Sequence, residues 1–260
     1  MQKRHHDSFA YFVELSITSR EYFIPYVQQF GAVADKKILE IGCGEGGNLL
    51  PFAQAGCAVT GIDISENKII AGGKYFQHFE QKGEFFSVNF FDFPVSADNK
   101  FDIILIHDVI EHIFDKEKFL NRLKNFCKTD CIIFFGFPAW QMPFGGHQQM
   151  CKSKIISVFP FIHLLPVRVY SSLLKLVGES QITIEGMIDV KKCATSIELF
   201  EKLINNNGFK TIDRTLWFIN PHYKQKFNLT PRKLNSIISK IKYIRNFFST
   251  SCFYLLKTGN

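Results

Sequence analysis

The stretch ILEIGCGEGGNLLPFAQAGCAVTGIDIS, residues 38–65, decides the fold. It begins as a short apolar strand and enters a loop with glycine at every second position, Gly42, Gly44 and Gly46. A helical pattern follows, and then a second strand that ends at Asp63. Glycines after a strand permit a tight turn and let a ligand approach the backbone, and an acid after the next strand can bind ribose hydroxyls. The stretch therefore predicts a nucleoside-binding strand–loop–helix–strand unit.

Outward from this stretch, strand and helix patterns continue to alternate. Strands are predicted at 36–44, which ends in glycines, at 57–65 and 84–93, at 101–113, which passes into a turn, and at 131–137, 209–219 and 251–257. Helices are predicted at 8–30 with a break near Pro25, and at 47–55, 65–78, 115–126 and 197–209. Strands that alternate with helices imply parallel crossovers, so we expect an α/β sheet covered on both faces.

Composition narrows the class of protein. With 46 % hydrophobic and 21 % charged residues among 260, the chain can form a packed core, which excludes a disordered protein. Seven cysteines lack any C-x-x-C pair, which favours reduced thiols and a cytoplasmic location. The start of the chain has no apolar stretch of signal-peptide length. No run of about 18 apolar residues occurs, so no transmembrane segment is expected.

The charges around the glycine loop indicate which nucleoside is bound. Glu40 and Glu45 bracket the loop, which opposes a pyrophosphate and suits a ligand that carries an ammonium or sulfonium group. The pattern E-x-G-x-G-x-G at 40–46 resembles motif I of the class I S-adenosylmethionine-dependent methyltransferases, and the resemblance extends over 36–137. It implies a Rossmann-like, seven-stranded, mostly parallel sheet with an antiparallel last strand, helices on both faces and a helical lid insertion.

The resemblance also divides the chain and implies a role for each site residue. It predicts one domain, 1–260, made of an N-terminal helical cap (1–35), a cofactor-binding core (36–137), a lid (138–195) and a C-terminal part of the core (196–260). The cofactor is S-adenosylmethionine. The residues implied to bind it are Glu40 near its amino group, the loop residues Gly42, Cys43, Gly44 and Gly46, Asp63 at the ribose, Ile64 on the adenine face, Phe91 or Asp92 at the adenine edge, and His107 and Asp108 at the methyl-donor end. Alternatively, Asp92 only caps a turn and Ile64 is ordinary core.

Candidates for catalysis follow the fourth and fifth predicted strands. Asp108-x-x-Glu111-His112 and, later, His147 resemble the arrangement in ubiquinone-biosynthesis O-methyltransferases, which implies a divalent cation such as Mg²⁺ held by these four side chains. A second interpretation makes His112 or His147 a metal-free base or positioning group, with Asp108 beside them. A third makes both histidines structural. The remaining histidines have no such context and are assigned to the surface or to packing: His5, His6, His78, His163 and His222.

The lid and the C-terminal segment remain open to several interpretations. Aromatic residues at 9–23 and 140–170 form either an apolar acceptor pocket or a small helical subcore. Residues 200–260 carry eleven basic and two acidic residues, +9, against −2 for residues 1–199. The pattern at 233–245 predicts a basic amphipathic helix, which would contact anionic lipid, contact nucleic acid or expose a solvated face.

Together these observations predict methyl transfer by in-line displacement to a small, apolar or amphiphilic, lipid-like acceptor, at oxygen rather than nitrogen. The alternatives are an RNA methyltransferase that uses the basic segment, and a non-catalytic cofactor-binding protein peripheral to the membrane.

Overall fold

The computed structural model describes residues 7–259, in which eight strands form one sheet. The strands are β1 Lys37–Ile41, β2 Ala58–Asp63, β3 Glu84–Ser87, β4 Phe101–His107, β5 Cys127–Phe137, β6 Phe209–Ile219, β7 Arg232–Lys233 and β8 Ser251–Thr258. Their order across the sheet is β3-β2-β1-β4-β5-β8-β6-β7. The candidates His5 and His6 lie outside the described residues.

The pairing confirms a mostly parallel sheet with an antiparallel last strand. β3, β2, β1, β4 and β5 pair in parallel, while β8 runs antiparallel between β5 and β6. The seven predicted strands are all present, and the two-residue β7 extends the sheet at the edge next to β6. Because parallel strands end at the same edge of a sheet, the residues that follow β1, β2, β4, β5 and β6 come together there.

Helices cover both faces of this sheet. The N-terminal helix α1 Ser8–Thr18 passes through a π-helical turn, Ser19–Phe23, into α2 Ile24–Gln28. The other helices are α3 Leu50–Gln54, α4 Glu66–His78, α5 Lys116–Leu123, α6 Lys154–Val158, α7 Val167–Leu176, α8 Gln181–Lys192, α9 Ile197–Asn206, α10 Tyr223–Phe227 and α11 Ile244–Phe248. Successive strand residues point to opposite faces, so Phe134 packs beneath the N-terminal helices and Phe135 packs against α9. No helix within residues 7–259 has the length and apolarity needed to cross a bilayer.

Residues 138–195 carry α6, α7 and α8 and have an apolar core of their own. This core contains Cys151, Ile156, Ile162, Tyr170, Leu174, Ile184 and Met187. Tyr170, one of the aromatic residues predicted either to wall an acceptor pocket or to form a subcore, is fully buried in this core, and so is Leu174. Helices of an insertion must bury their own apolar stripe first, and these side chains do so.

The predicted basic amphipathic helix at 233–245 is wrong. This part of the chain contains β7, a 3₁₀ turn at Ile238–Lys240 and α11 instead. The Asn235 carboxamide accepts a hydrogen bond from the Ile237 backbone N–H, which starts a turn, and Tyr243 has a positive φ of 64° that interrupts a helix. The Arg245 guanidinium is buried in ion pairs with Glu198 and Glu201 rather than exposed on a basic face.

Candidate active site

The glycine loop lies at the carboxyl edge of the sheet with a backbone that suits glycine. Gly42, Gly44 and Gly46 have φ values of +71°, +55° and +82°, a region that other residues rarely adopt. A Cβ on Gly42 would lie 2.4 Å from Cγ2 of Val109, so only glycine fits against the loop after β4. A Cβ on Gly44 would meet only the Lys68 side chain, at 3.9 Å. The backbone at Gly44 is therefore open to a ligand.

Asp63 is held beside this loop by two backbone groups. The Gly44 N–H donates to Oδ2 of Asp63 at 2.9 Å, and the Ser65 N–H donates to Oδ1 at 2.8 Å. A carboxylate has about four acceptor positions, so each oxygen retains one for a further donor. The neighbouring Ile64 side chain is 78 % exposed, which excludes the interpretation that it is ordinary core. An oriented carboxylate and an exposed aliphatic face fit a ribose and the base attached to it.

Glu40 lies below the loop and is 1 % exposed. Its Oε1 accepts a hydrogen bond from Nδ2 of Asn48 at 2.7 Å, while Oε2 has no hydrogen-bond partner among the described residues. Burial raises the pKa of the Glu40 carboxyl to about 8, and the hydrogen bond from Asn48 opposes that shift. A ligand ammonium at Oε2 would satisfy this oxygen and stabilise the ionised carboxylate.

The side chains of two predicted cofactor-binding residues, Cys43 and His107, pack against other parts of the protein and are not exposed to a ligand. The Cys43 thiol is buried against Gly61, where a Cβ would lie 2.7 Å from its Sγ, so Cys43 contributes packing and backbone rather than its side chain. The His107 ring packs on Phe23, with centroids 4.9 Å apart, and against Gly136. We infer that His107 positions the end of β4.

The segment after β3 differs from the predicted strand. β3 ends at Ser87, and a turn follows in which the Asn89 carboxamide accepts a hydrogen bond from the Phe91 N–H at 2.9 Å. Asn89, not Asp92, therefore caps this turn. Phe91 is half-buried against the core, and Asp92 is exposed. Their role at an adenine edge stays a prediction.

Three of the four predicted metal ligands come together after β4 and β5. Ligand atoms of Glu111, His112 and His147 lie within 4.8 Å of one another, and the two imidazole rings are 5.0 Å apart. Glu111 is 5 % exposed, and neither of its carboxylate oxygens has a hydrogen-bond partner among the described residues. Partial desolvation lowers the pKa of His112, although this residue is exposed, and lowers the pKa of the half-buried His147 to about 4, so both imidazoles are neutral at pH 7. Two neutral imidazoles beside an unpartnered carboxyl are a donor set that fits a divalent cation.

Asp108 lies beside this cluster rather than within it. It has a positive φ of 54°, its N–H donates to the Gly136 carbonyl at 2.8 Å, and its Oδ2 is 3.4 Å from Nδ1 of His107. Its negative charge helps to raise the pKa of Glu111 well above the ordinary value, after burial itself. The predicted set of four metal ligands is thus corrected to three, and Asp108 is an acidic neighbour of these three residues.

A cavity of about 220 Å³ opens in front of the cluster. It is lined by side chains from the N-terminal helix, the loops after β4, β5 and β6, and the residue before β8: Tyr11, Glu14, Asp108, Glu111, Pro138, Met142, Phe144, His147, Gln149, Met150, Asn220, His222, Tyr223, Lys226 and Thr250. Of the aromatic residues proposed from sequence as pocket walls, Tyr11 and Phe144 are among them.

The sequence pattern did not indicate several of the residues that line the cavity. His222 was assigned to the surface or to packing, yet it lines the cavity, and its Nδ1 lies 3.2 Å from the Thr18 hydroxyl. Asn220 and Tyr223 follow β6, which is parallel to β5 because both run antiparallel to β8. The carboxyl end of β6 therefore lies at the same edge of the sheet as the carboxyl end of β5. Residues that follow β6 could have been predicted to lie near the site for this reason. His163 is instead buried in the lid, as a packing residue.

Comparisons with known proteins support the fold and the class. A family model described as "Methyltransferase domain" matches residues 39–133. Ubiquinone biosynthesis O-methyltransferase from Hydrogenovibrio crunogenus is 27 % identical over 112 residues, which cover 43 % of this chain and 46 % of that protein. The enzyme of the same name from Actinobacillus pleuropneumoniae serotype 5b is 30 % identical over 120 residues, covering 43 % and 50 %. The chain thus spans about half the length of the curated relatives it matches.

Solved structures are similar over nearly the whole chain. Magnesium protoporphyrin IX methyltransferase from Synechocystis PCC 6803 with bound S-adenosylhomocysteine matches with a TM-score of 0.57 and 14 % identity, covering 95 % of this chain and 85 % of that one. An S-adenosylmethionine-dependent methyltransferase from Clostridium acetobutylicum matches with a TM-score of 0.58 and 11 % identity, covering 94 % and 92 %. Residues 39–133 thus match a methyltransferase domain, and the described part of the chain has the Rossmann-like fold found in class I S-adenosylmethionine-dependent methyltransferases.

Proposed function

We propose that this chain transfers the methyl group of S-adenosylmethionine to a hydroxyl oxygen of a small amphiphilic acceptor that binds in the 220 Å³ cavity. The observation that carries the proposal is the cluster of Glu111, His112 and His147, because the cavity it borders also reaches Asp108, near the glycine loop. S-adenosylmethionine, when bound, supplies a methyl group on a sulfonium sulfur. We also propose a cytoplasmic location, since all seven cysteines are free thiols.

The residues around the glycine loop bind and orient the cofactor. Asp63 has two unused acceptor positions for ribose hydroxyls, and Ile64 offers an exposed apolar face for the base. Glu40 offers one unpartnered oxygen to an ammonium group. The open backbone at Gly44 permits close approach of the ligand. Fixing the cofactor at three separate points orients its methyl group relative to the cavity, and such alignment supplies much of the rate in a displacement reaction.

The cluster prepares the acceptor oxygen. We propose that Glu111, His112 and His147 hold a divalent cation, which would supply Lewis acidity toward an acceptor hydroxyl at this end of the cavity. The two unpartnered oxygens of Glu111 and the neutral imidazoles supply ligands of the required type. Asp108 adds negative charge nearby, which favours binding of a cation.

The metal-free alternative uses an imidazole as the base. A general base is most effective when its pKa lies near the working pH, and the pKa of His147 is about 4. That value makes His147 a weak proton acceptor but leaves its nitrogen free of a proton for a metal. The same burial therefore disfavours His147 as a base and favours it as a ligand.

The lining of the cavity indicates the character of the acceptor. Pro138, Met142 and Phe144 contribute apolar side chains to the lining, while Asn220 and Tyr223 contribute polar groups. A small molecule with one apolar part and at least one hydroxyl fits this mixture, in the way that ligand pockets combine apolar walls with few polar groups. The relatives are named ubiquinone biosynthesis O-methyltransferases, which supports oxygen as the methylated atom in the proposed reaction.

The test is a labelled-methyl assay against lipid, small-molecule and RNA fractions of a lysate. We expect label in a small-molecule or lipid product, loss of label after treatment with a chelator, and recovery on adding Mg²⁺ or another divalent cation. Label in RNA would contradict the proposed acceptor. If a chelator left the methyl-transfer activity unchanged, the proposed cation would be wrong. His112 would then be the candidate for a metal-free base that activates the acceptor hydroxyl.

A further inference from the structure

Two segments that are distant in sequence share an unusual charge pattern. Residues 131–178 contain four basic residues and residues 214–260 contain nine, and neither segment contains an aspartate or a glutamate. Three of the basic residues in the second segment, Arg214, Lys224 and Arg245, pair with glutamates elsewhere in the chain. Eight others are exposed at the surface: Lys152, Lys154, Arg168, Lys175, Arg232, Lys233, Lys240 and Lys242.

The same two segments expose large apolar side chains. In the lid, Ile155 and Val158 lie one turn apart on α6 and are 74 % and 69 % exposed, and Phe159 is 57 % exposed. In the C-terminal segment, α11 exposes Ile244 and Phe248 as well as Phe247. Single exposed apolar residues are ordinary, but groups of them within short segments mark interaction sites.

A contact between aromatic rings joins the two groups. Phe161 of the lid and Phe247 of α11 have ring centroids 6.2 Å apart, and each ring remains more than one third exposed. Phe161 also has a positive φ of 64°, an unusual conformation for a bulky residue. We call the combined set the lid–tail surface: Ile155, Val158, Phe159, Phe161, Ile244, Phe247 and Phe248.

We propose that the lid–tail surface docks on an anionic lipid bilayer, with its apolar side chains among the acyl chains and the exposed basic residues at the headgroups. Interfacial binding needs both components, apolar area and positive charge, and here they occur in the same acid-free segments. The two most exposed members of the surface, Ile155 and Val158, are aliphatic and offer no ring on which a base can stack, and its four phenylalanines can enter the acyl region as well, so the surface fits lipid better than nucleic acid.

The position of the cavity agrees with this orientation. Met150, which lines the cavity, precedes α6 by four residues and is 58 % exposed, and Thr250, which also lines it, follows α11 by two residues. The cavity therefore adjoins the lid–tail surface. This arrangement would admit an amphiphilic acceptor from the bilayer into the cavity, an inference that rests on the proposed function.

The experiment is co-sedimentation of the full chain with phosphatidylcholine vesicles that contain 0 or about 30 % phosphatidylglycerol. We expect at least about tenfold stronger binding to the anionic vesicles, weakened by 0.5 M salt as a Debye length of a few ångströms requires. The variant Ile155→Asp/Phe159→Asp should lose about tenfold of that binding. The matched control Ile70→Asp removes an apolar residue that is 51 % exposed on α4 and should bind as wild type.

Three outcomes would overturn the proposal. The first is equal or no binding to the two kinds of vesicle, and the second is equal loss in the Ile70→Asp control. In the third, wild type does not bind vesicles, and both wild type and the Ile155→Asp/Phe159→Asp variant bind RNA. That result would assign the basic segments to nucleic acid. The readout is binding alone, so its failure is separate from failure of the methyl-transfer assay. Circular dichroism checks that each variant is folded.

Discussion

The two halves of the candidate active site are built in different ways. The cofactor half consists mainly of backbone and of side chains held by backbone: the glycine loop and Asp63 lie within residues 38–65, and two N–H groups fix the Asp63 carboxylate. The acceptor half consists of side chains from five separate segments, and its central carboxyl, Glu111, is buried with no hydrogen-bond partner among residues 7–259. The first half is prearranged within one local unit, whereas the second is assembled by the tertiary fold and keeps polar groups ready for a ligand.

Replacing Glu111 should have the largest effect on turnover, and it should affect the acceptor half without affecting the cofactor half. The change Glu111→Gln removes the carboxylate of the cluster, and we expect turnover to fall about 1000-fold, equivalent to ~4 kcal/mol of transition-state stabilisation. Affinity for S-adenosylhomocysteine should stay within about twofold, because Glu111 belongs to the acceptor half. Methyl-transfer kinetics and calorimetry on the same preparation measure the two effects.

The matched control for this variant is Glu117→Gln, which makes the same chemical change at an exposed position on α5. Turnover should be unchanged there. If Glu111→Gln weakened cofactor binding as much as it slowed turnover, the division into two halves would be incorrect.

Glu40 tests the cofactor half through stability. Its pKa is about 8 in the folded chain against 4.5 ordinarily, so the folded state holds a proton that the unfolded state releases between these values. Stability due to this group is present below pH 4.5 and is lost as the pH rises through 8. Glu40→Gln, neutral at every pH, should therefore raise the free energy of unfolding by about 3 kcal/mol at pH 7 and by almost nothing at pH 4.5. Denaturant melts at the two pH values measure this.

The same substitution should weaken the binding of S-adenosylhomocysteine. An ammonium group beside Glu40 favours the ionised carboxylate, so binding releases a proton and affinity should rise from pH 6 to pH 8 in wild type. Calorimetry in buffers of different ionisation enthalpy measures that proton. A wild-type affinity that falls over this range, or an equal proton release in Glu40→Gln, would place the ligand amine elsewhere.

The lid provides the smallest of these effects. His163 is fully buried, its Nε2 lies 2.8 Å from the Trp140 carbonyl, and burial lowers its pKa to about 4. Since the unfolded histidine titrates near 6.5, the stability from its neutral form is present above pH 6.5 and is lost as the pH falls toward 4. Going from pH 7 to pH 5 should cost about 2 kcal/mol, measured by unfolding followed through tryptophan fluorescence. His163→Gln should remove that part of the pH dependence; an unchanged slope would mean that His163 is accessible to solvent in the lid.

The difference between the halves also explains what the sequence could predict. Gly42, Gly44 and Asp63 were found because their spacing and backbone requirements lie within one short stretch. The strands were found because a buried parallel strand is a continuous apolar run, as in residues 131–137. The proximity of Glu111, His112 and His147 followed from the rule that parallel strands end at one edge of the sheet.

The rest depended on contacts that no local pattern encodes. His222 and Tyr223 reach the cavity through the position of β6 in the sheet. The amphipathic pattern at 233–245 predicted a helix, but ion pairs from Arg245 to α9 and the turn at Asn235 prevail over that local preference. Whether lid aromatics formed a pocket or a subcore was likewise decided by which helices pack together, as Tyr170 shows.

Calorimetric titration of S-adenosylhomocysteine into wild type, Asp63→Ala and the exposed control Asp98→Ala tests most directly whether this edge of the sheet binds the cofactor. We expect saturable binding of one ligand per chain. Asp63→Ala removes two hydrogen bonds between the ligand and a charged group, each worth about 1.5 kcal/mol, so the affinity for S-adenosylhomocysteine should fall at least about 100-fold. The affinity of Asp98→Ala should equal that of wild type. No binding to folded wild type, or equal binding to Asp63→Ala, would contradict the assignment of this edge of the sheet as the cofactor site.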